Sequence, residues 1–239
     1  AVATAAATAA PTLAAAPTTT AAPTTTIPAP PARPQTIDEL LALGRPIVLA
    51  HTAGEDEYPG STLFGFSESV AAGADMLDMN VLLTSDGVLI VQHDETVDRT
   101  TNGSGALTEL TYAEVAALDN AYWFTPDCGV CDDQPAEAYI YRGIRTGEQP
   151  APEGYTADDF AIPTFRELVE RFPDLPLNIE IKGTGEPALA AASVLADELV
   201  ELGRADASVV TSFDDATVVA FQALLPDVEI SPSLGPTSD

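Results

Sequence analysis

The chain contains only two histidines, and each one ends a short apolar run. His51 follows Pro46-Ile-Val-Leu-Ala, and His93 follows a run of apolar and β-branched residues that begins at Val88. Runs of this kind predict buried strands, so both imidazoles are expected at strand ends. Imidazole titrates near neutral pH, and two such groups at one rim can act as general base and general acid. His51 and His93 are therefore candidate catalytic residues.

Oxygen donors follow a period of two in two further segments. Side chains alternate between the faces of a strand, so Asp78 and Asn80 share one face, as do Asn178, Glu180 and Lys182. Oxygens from Asp78, Asn80 and Glu180 suit a hard cation such as Mg²⁺ or Ca²⁺. Lys182 is the only lysine of the chain. Its ammonium is expected to hold an oxygen of a bound anion or to pair with Glu180.

Apolar strands alternate with helical segments along most of the chain. The periodicity predicts strands over 46–51, 177–182, 208–213 and 228–230, two short strands within 75–94 of which the second covers 88–92, and helices over about 62–72, 111–118, 164–172, 186–202 and 214–224. The second and third strands flank a Ser85-Asp86-Gly87 turn. Alternation of this kind predicts a parallel sheet with helices outside it.

Two architectures fit that alternation, a TIM (β/α)8-type barrel or an open doubly wound sheet. The sequence contains neither a G-x-G-x-x-G after its first strand nor a P-loop, which favours the barrel. Active sites of such barrels lie at the carboxyl ends of the strands, where the candidate residues fall. Because only six strands are predicted, we expect a barrel that is truncated after the sixth, with about two βα units missing from the α/β fold.

Residues 119–162 break the alternation and are rich in Tyr, Pro, Gly and Asp. A loop of this length within a compact domain is usually functional or an inserted subdomain, so we interpret it as a small insertion after the third strand. It contains both cysteines, Cys128 and Cys131. Their spacing fits a small disulfide in an exported loop, with free thiols as the alternative.

Residues 1–36 consist almost entirely of Ala, Thr and Pro, which predicts a disordered linker before a domain at 37–239. A stalk of this composition suits a secreted or cell-surface protein and a possible association with the cell envelope. No run of about 20 apolar residues predicts a transmembrane segment. The formal charge of -28 argues against nucleic acid as a partner. It also repels anionic substrates unless a cation intervenes.

Several blocks of the sequence resemble the glycerophosphodiester phosphodiesterase family in order and spacing. The similarity covers about 46–232 and is most specific over 73–105. The blocks are His51, Pro59-Gly60-Ser61-Thr62, Gly73-Ala74-Asp75, Asp78-Met-Asn80-Val, Leu83-Thr84-Ser-Asp86-Gly87, His93-Asp94, Asp98-Arg99-Thr100-Thr101-Asn102-Gly103 and Ile179-Glu180-Ile-Lys182.

The resemblance implies a TIM barrel that hydrolyses glycerophosphodiesters to glycerol 3-phosphate and an alcohol, with a divalent cation and two histidines. It implies that His51 and His93 are the acid/base pair. Asp78, Asn80 and Glu180 match the metal-ligand positions, and Lys182 matches the contact to the substrate phosphate. The insertion would correspond to a small subdomain beside the active site.

The chain departs from the family pattern at three places. Thr52 stands where an Arg usually follows the first histidine, Gly60-Ser61 replaces Glu-Asn, and Asn80 replaces the Asp of a Glu-x-Asp pair. An amide at position 80 removes one negative charge and should weaken cation binding. Among residues 55–57, Glu-Asp-Glu, a carboxylate could compensate, or the three could form a solvated acidic loop.

Three functions are compatible with these residues. The first is an exported, metal-dependent enzyme that acts on deacylated phospholipids or on glycerophosphate polymers of the envelope. The second is a surface module of the same fold that binds a phosphodiester without turning it over. The third is another phosphodiesterase of similar fold, such as a phospholipase D-like lipid hydrolase, although no exposed apolar stretch supports it.

Overall fold

The computed structural model describes residues 33–231. The predicted linker 1–36 therefore lies outside the described residues except for its last four. Of these, Arg33 donates a hydrogen bond from Nη2 to the carbonyl of Val70 at 3.2 Å. Thr36 caps α1, Ile37–Leu41, by accepting from the backbone N–H of Glu39. The periodicity missed α1 because five residues complete little more than one helical turn.

One mostly parallel sheet forms the centre of the domain. Its strand order is β1-β2-β6-β7-β8, and each neighbouring pair in that path is parallel. The strands are β1 (Leu49–Ala50), β2 (Met76–Leu83), β3 (Leu89–Val91), β4 (Phe124–Thr125), β5 (Gly129–Val130), β6 (Leu177–Ile181), β7 (Ser208–Thr211) and β8 (Glu229–Ile230). Within residues 33–231, β1 and β8 each pair with one neighbour and not with each other.

Helices lie between the strands close to their predicted positions. They are α2 (Leu63–Ala72), α3 (Tyr112–Ala116), α4 (Phe165–Arg171), α5 (Gly185–Glu201) and α6 (Asp215–Leu224). Threonine begins three of them: Thr62, Thr111 and Thr164 each accept a hydrogen bond from a backbone N–H of the first turn. Glu114 and Glu167 complete capping boxes in α3 and α4. Between residues 33 and 231 no helix is long and apolar enough to cross a membrane.

The two faces of the sheet have different roles. One face of β2 and β6 is apolar and buried in a cluster that includes residues of α5. Its buried residues are Leu77, Met79, Val81, Leu177, Ile179 and Ile181. Truncating one such buried leucine or isoleucine typically costs about 2–5 kcal/mol. Since strand side chains alternate, packing this face on the helix turns Asp78, Asn80 and Glu180 to the opposite face.

The fold class predicted from the sequence is confirmed: strands of a mostly parallel sheet alternate with helices as in part of a TIM barrel. One strand departs from the all-parallel expectation, because β3 runs antiparallel to β2. The turn between them is short, and Gly87 adopts φ 81° there. Thr84 donates from Oγ1 to the carboxylate of Asp86 at 2.7 Å. A turn this tight reverses the chain and leaves no room for a crossover helix.

The segment predicted as an insertion, 119–162, belongs to the same compact unit as the parallel sheet and shares a hydrophobic cluster with α2. It contains the two-stranded antiparallel sheet β4–β5, and the Asn120 N–H donates to the carbonyl of Phe160 at 3.0 Å, where the segment's two ends meet. Phe160 stacks on Phe64 of α2, with ring centroids 4.7 Å apart. A disulfide joins Cys128, which lies between β4 and β5, to Cys131, which directly follows β5. The insertion therefore packs on the helix that follows His51.

Candidate active site

The register between β2 and β6 brings the predicted oxygen donors together. Asn80 lies opposite Glu180, and Asp78 lies opposite Asn178. Asn80 donates from Nδ2 to Glu180 Oε2 at 2.7 Å, and Asn178 donates from Nδ2 to Asp78 Oδ1 at 2.7 Å. Two carboxylates and two amides therefore form neighbouring cross-strand pairs on the face that does not pack on α5.

Two buried oxygens in this cluster are left for another ligand. Asn80 Oδ1 and Glu180 Oε1 have no hydrogen-bond partner within the described part of the chain. Lys182 Nζ lies 3.1 Å from Glu180 Oε1 as an ion pair, without the alignment of a hydrogen bond. Oxygens of this type are the ligands that Mg²⁺ and Ca²⁺ take. Together with Asp78, they form a donor set that fits a hard divalent cation.

This donor set contains two carboxylates and the amide of Asn80, which stands where the pattern described above has an Asp. Within residues 33–231, no group of three His, Cys, Asp or Glu side chains is placed to hold a metal ion. Asn80 is 4% exposed, and its amide nitrogen is committed to Glu180, so its oxygen is the atom available to a cation. The set supplies two formal negative charges, which favours weaker cation binding than three would.

Burial is the largest influence on Asp78. It raises the pKa of this carboxyl above its ordinary value, and the nearby charge of Glu180 acts in the same direction. The hydrogen bond from Asn178 and the charge of His51 oppose the rise without cancelling it. A positive charge placed beside Asp78 would therefore stabilise its ionised form.

His93 is held on both ring nitrogens. Its Nδ1 lies 2.7 Å from Asp94 Oδ1, and its Nε2 lies 3.3 Å from Lys182 Nζ. An ammonium group only donates, and an ionised carboxylate only accepts. The contacts therefore select the neutral tautomer with hydrogen on Nδ1, and they leave the Nε2 lone pair on the side of Lys182.

His51 is held on one ring nitrogen. Its Nδ1 lies 3.1 Å from Glu55 Oε1, and its side chain is 62% exposed. The two imidazole rings lie close together, with centroids 5.9 Å apart and planes at 71°. Of the three acidic residues over 55–57, Glu55 is the one placed on His51, so its carboxylate serves the histidine and not the donor set.

The loops that follow β1 contain strained backbone. Thr52, Ala53 and Ser61 have positive φ values of 42°, 70° and 51°, which non-glycine residues rarely adopt. The Ser61 N–H donates to the carbonyl of Thr52 at 3.1 Å, which ties the two strained places together. The Thr52 side chain is buried, and its Oγ1 has no partner within residues 33–231. Strain of this kind is typical of functional sites.

Sequence reasoning missed a buried polar network that supports His93. Gln92 donates from Nε2 to Thr100 Oγ1 at 2.9 Å and to Asn120 Oδ1 at 3.2 Å. Asn120 in turn donates from Nδ2 to the carbonyls of Gly60 and Ser61. A glutamine at the end of an apolar strand could have signalled this network. Nothing local to Asn120 marks it, because its partners lie far away in sequence.

Comparison with known proteins identifies the family. Residues 51–235 match the sequence profile of the glycerophosphoryl diester phosphodiesterase family. That match covers most of the chain, and the chain belongs to this family. All the candidate residues discussed above, from His51 to Lys182, fall within the matched range.

Two curated relatives carry the family's name. A glycerophosphodiester phosphodiesterase of Caldanaerobacter subterraneus is 36% identical over 138 residues, which is 57% of this chain and 45% of that protein. A putative glycerophosphodiester phosphodiesterase of Bacillus subtilis is 28% identical over 76% of this chain and 63% of its own length. The chain thus spans less than two thirds of either relative.

Solved structures agree on the fold. An Oleispira antarctica phosphodiesterase in complex with the product sn-glycerol-3-phosphate superposes with a TM-score of 0.60 at 22% identity, over 77% of this chain and 64% of that one. A glycerophosphoryl diester phosphodiesterase domain from Mycobacterium tuberculosis gives 0.59 at 24% identity, over 79% and 60% of the two chains. These similarities support the shared fold.

We expect the Asp78→Asn substitution to increase stability against unfolding by an amount that depends on pH. Because its folded-state pKa is raised, the wild-type carboxyl favours folding below its unfolded pKa and loses that contribution as pH rises. Asparagine keeps the acceptor for Asn178 without the charge. In EDTA, the variant should be more stable than wild type at pH 7, and the difference should shrink toward pH 4.

Urea unfolding at both pH values measures this difference. Asp227→Asn on the exposed surface is the matched control. Its free energy of unfolding should change between pH 7 and pH 4 by the same amount as that of wild type. An Asp78→Asn variant that is less stable than wild type at pH 7 would contradict the electrostatic account.

Proposed function

We propose that this protein hydrolyses glycerophosphodiesters to glycerol 3-phosphate and an alcohol, with a divalent cation, Mg²⁺ or Ca²⁺, and two-histidine acid/base catalysis. The observation that carries the proposal is the pairing of His51 and His93. Their rings lie 5.9 Å apart, each with a carboxylate on Nδ1, beside a buried set of oxygen donors. Family membership supports the same reaction.

The chain's own residues account for the proton transfers. One histidine takes the proton of the glycerol hydroxyl next to the phosphate, and the freed oxygen attacks phosphorus. The other histidine starts as an imidazolium and gives its Nε2 proton to the departing alcohol. Water then opens the cyclic phosphate with the two roles reversed, which restores both imidazoles. A carboxylate on each Nδ1 leaves Nε2 as the nitrogen that exchanges a proton, and the Nε2 of His93 also lies 3.3 Å from Lys182 Nζ.

Charge in the site must offset the repulsion between an acidic protein and a phosphodiester. Lys182 is placed for this role, since its ammonium lies between His93 Nε2 and Glu180 Oε1. A cation held by Asp78, Asn80 and Glu180 would supply further positive charge to the phosphate oxygens. Lys182 is placed to stabilise the negative charge that develops during attack on phosphorus, and a bound cation would add to that effect.

A second candidate is a module of the same fold that binds a phosphodiester without turning it over. Two observations favour it: an amide occupies one ligand position, and Thr52 keeps its short side chain buried where the family usually has an arginine. The two candidates differ in turnover, so one assay separates them.

The histidine variants test the enzymatic proposal. Release of glycerol 3-phosphate from glycerophosphocholine by the full-length protein is expected to require Mg²⁺ or Ca²⁺ and to stop in EDTA. His51→Ala and His93→Ala should each lower kcat by about 10²–10⁴-fold, because each loses a proton-transfer group. Circular dichroism confirms that the variants remain folded.

Full activity in either folded variant would contradict the two-histidine assignment. Absence of release from several glycerophosphodiesters, with binding retained in calorimetry, would instead support the binding module.

Asn80→Asp tests the donor set. The new carboxylate would face Glu180 Oε2, where Asn80 now donates a hydrogen bond, so the metal-free variant should be less stable than wild type. A third charge should also tighten cation binding. Thermal unfolding in EDTA and in saturating Mg²⁺ or Ca²⁺ measures both effects, since a ligand of the folded state raises Tm. A larger cation-induced rise in Asn80→Asp than in wild type is expected; an equal rise would place the cation elsewhere.

We also propose that the protein acts outside the cytoplasm, secreted or at the cell surface, with no nucleic acid partner. The Ala/Thr/Pro composition of residues 1–36, the strong acidity and the Cys128–Cys131 disulfide support this location. Fractionation of the source cells should place the protein in the medium or the envelope. Recovery in the cytosol with both thiols free would contradict it.

A further inference from the structure

An arginine outside the predicted site lies between the two carboxylates that hold the histidines. Arg99 donates from Nε to Asp94 Oδ2 at 2.5 Å and from Nη2 to Asp94 Oδ1 at 3.2 Å. The same Nη2 lies 3.8 Å from Glu55 Oε2. Arg99 therefore contacts the partner of each imidazole.

These contacts connect the two rings through Glu55, Arg99 and Asp94, and we call this series of contacts the Arg99 bridge. Glu55 uses Oε1 for His51 Nδ1 and Oε2 for Arg99, and Asp94 uses Oδ1 for His93 Nδ1 and both oxygens for Arg99. Neither carboxylate contacts the Nε2 atoms. The Arg99 bridge thus lies behind both histidines, away from the atoms that would exchange protons with a substrate.

We propose that Arg99 is a positioning residue that, through Asp94 and Glu55 together, keeps a hydrogen on Nδ1 of both histidines. Its effect on turnover rests on the proposed function, whereas its effect on the two rings does not. Arg99 is not among the predicted catalytic residues or metal ligands, and the sequence indicates Glu55 only as one of three carboxylates that could compensate for Asn80.

The chemistry of the guanidinium suits this role. Its planar fork can hold one carboxylate through two N–H groups and still present an N–H to a second, which an ammonium cannot do in a fixed geometry. Without Arg99, Asp94 and Glu55 would be two like charges in a protein of net charge -28. Burial alone raises the pKa of Asp94, yet the hydrogen bonds from Arg99 and His93 outweigh it, and the pKa lies below its ordinary value.

The loop that carries Arg99 is fixed by other contacts. The Gly105 N–H donates to Asp98 Oδ2 at 3.0 Å, and Thr101 donates from Oγ1 to the carbonyl of Val97 at 2.7 Å. Thr100 is buried and donates to Asn120 Oδ1 at 2.6 Å. Replacing the half-exposed Arg99 side chain should therefore leave the loop in place.

The experiment compares Arg99→Gln with wild type in full-length protein labelled with ¹⁵N-histidine. The chain has only two histidines, so the ring-nitrogen shifts of each can be assigned with His51→Ala and His93→Ala. In wild type, both rings should show hydrogen on Nδ1. In Arg99→Gln, both should change toward a mixture of tautomers, and kcat should fall about 10–100-fold with a smaller change in KM, as when a partner that orients a reactive group is removed.

Arg166→Gln is the matched control, because Arg166 pairs with Glu201 on the exposed surface. It should leave both histidine spectra and turnover unchanged. Glu55→Gln is a second variant for the bridge. It should alter the spectrum of His51 and spare that of His93, whose Asp94 still pairs with Arg99.

Unchanged tautomers of both rings in folded Arg99→Gln would overturn the proposal, as would a change confined to His93. If Arg99→Gln does not fold, an unaltered His51 spectrum in Glu55→Gln would overturn it. A wild-type protein that releases no glycerol 3-phosphate while both rings respond to Arg99→Gln would refute the proposed activity and leave the bridge supported.

Discussion

The in-register parallel pairing of β2 with β6 is the contact on which the site depends. It joins two segments 100 residues apart and sets Asn80 against Glu180 and Asp78 against Asn178. A shift of one residue would turn the oxygen donors toward α5 and the apolar side chains toward the site. The apolar cluster on the helix side thus fixes the polar arrangement on the other face, because the two faces belong to the same strands.

The site combines few positive charges with many negative ones. Lys182 stands between His93 and Glu180, and Arg99 stands between Asp94 and Glu55. Lys182 therefore pairs with a carboxylate that also accepts from Asn80, and Arg99 pairs with carboxylates that also contact the histidines. In a chain with 37 acidic and nine basic residues, Lys182 thus supplies positive charge on the Nε2 side of His93, and Arg99 supplies it behind the two histidines.

Two of the three departures from the family pattern, Thr52 and Gly60-Ser61, lie next to one another in the structure. Gly60 is close to Thr52, since a Cβ at Gly60 would lie 3.1 Å from the Thr52 carbonyl oxygen and 3.5 Å from Oγ1. A side chain at position 60 would require its neighbours to shift slightly, and the present loop keeps three non-glycine residues at positive φ. Asn120 of the insertion then secures the loop through the carbonyls of Gly60 and Ser61. The loop and the insertion form one support for the site.

The sequence by itself determined the faces and ends of the main elements. Period-two alternation placed Asp78 with Asn80 and Glu180 with Lys182, and apolar runs placed both histidines near strand ends, because these patterns are local. Tertiary structure decided the register of β2 against β6, the support from Asn120 and the contact of Arg99 with Glu55. These contacts depend on how distant segments pack, and no periodicity within any one segment records them.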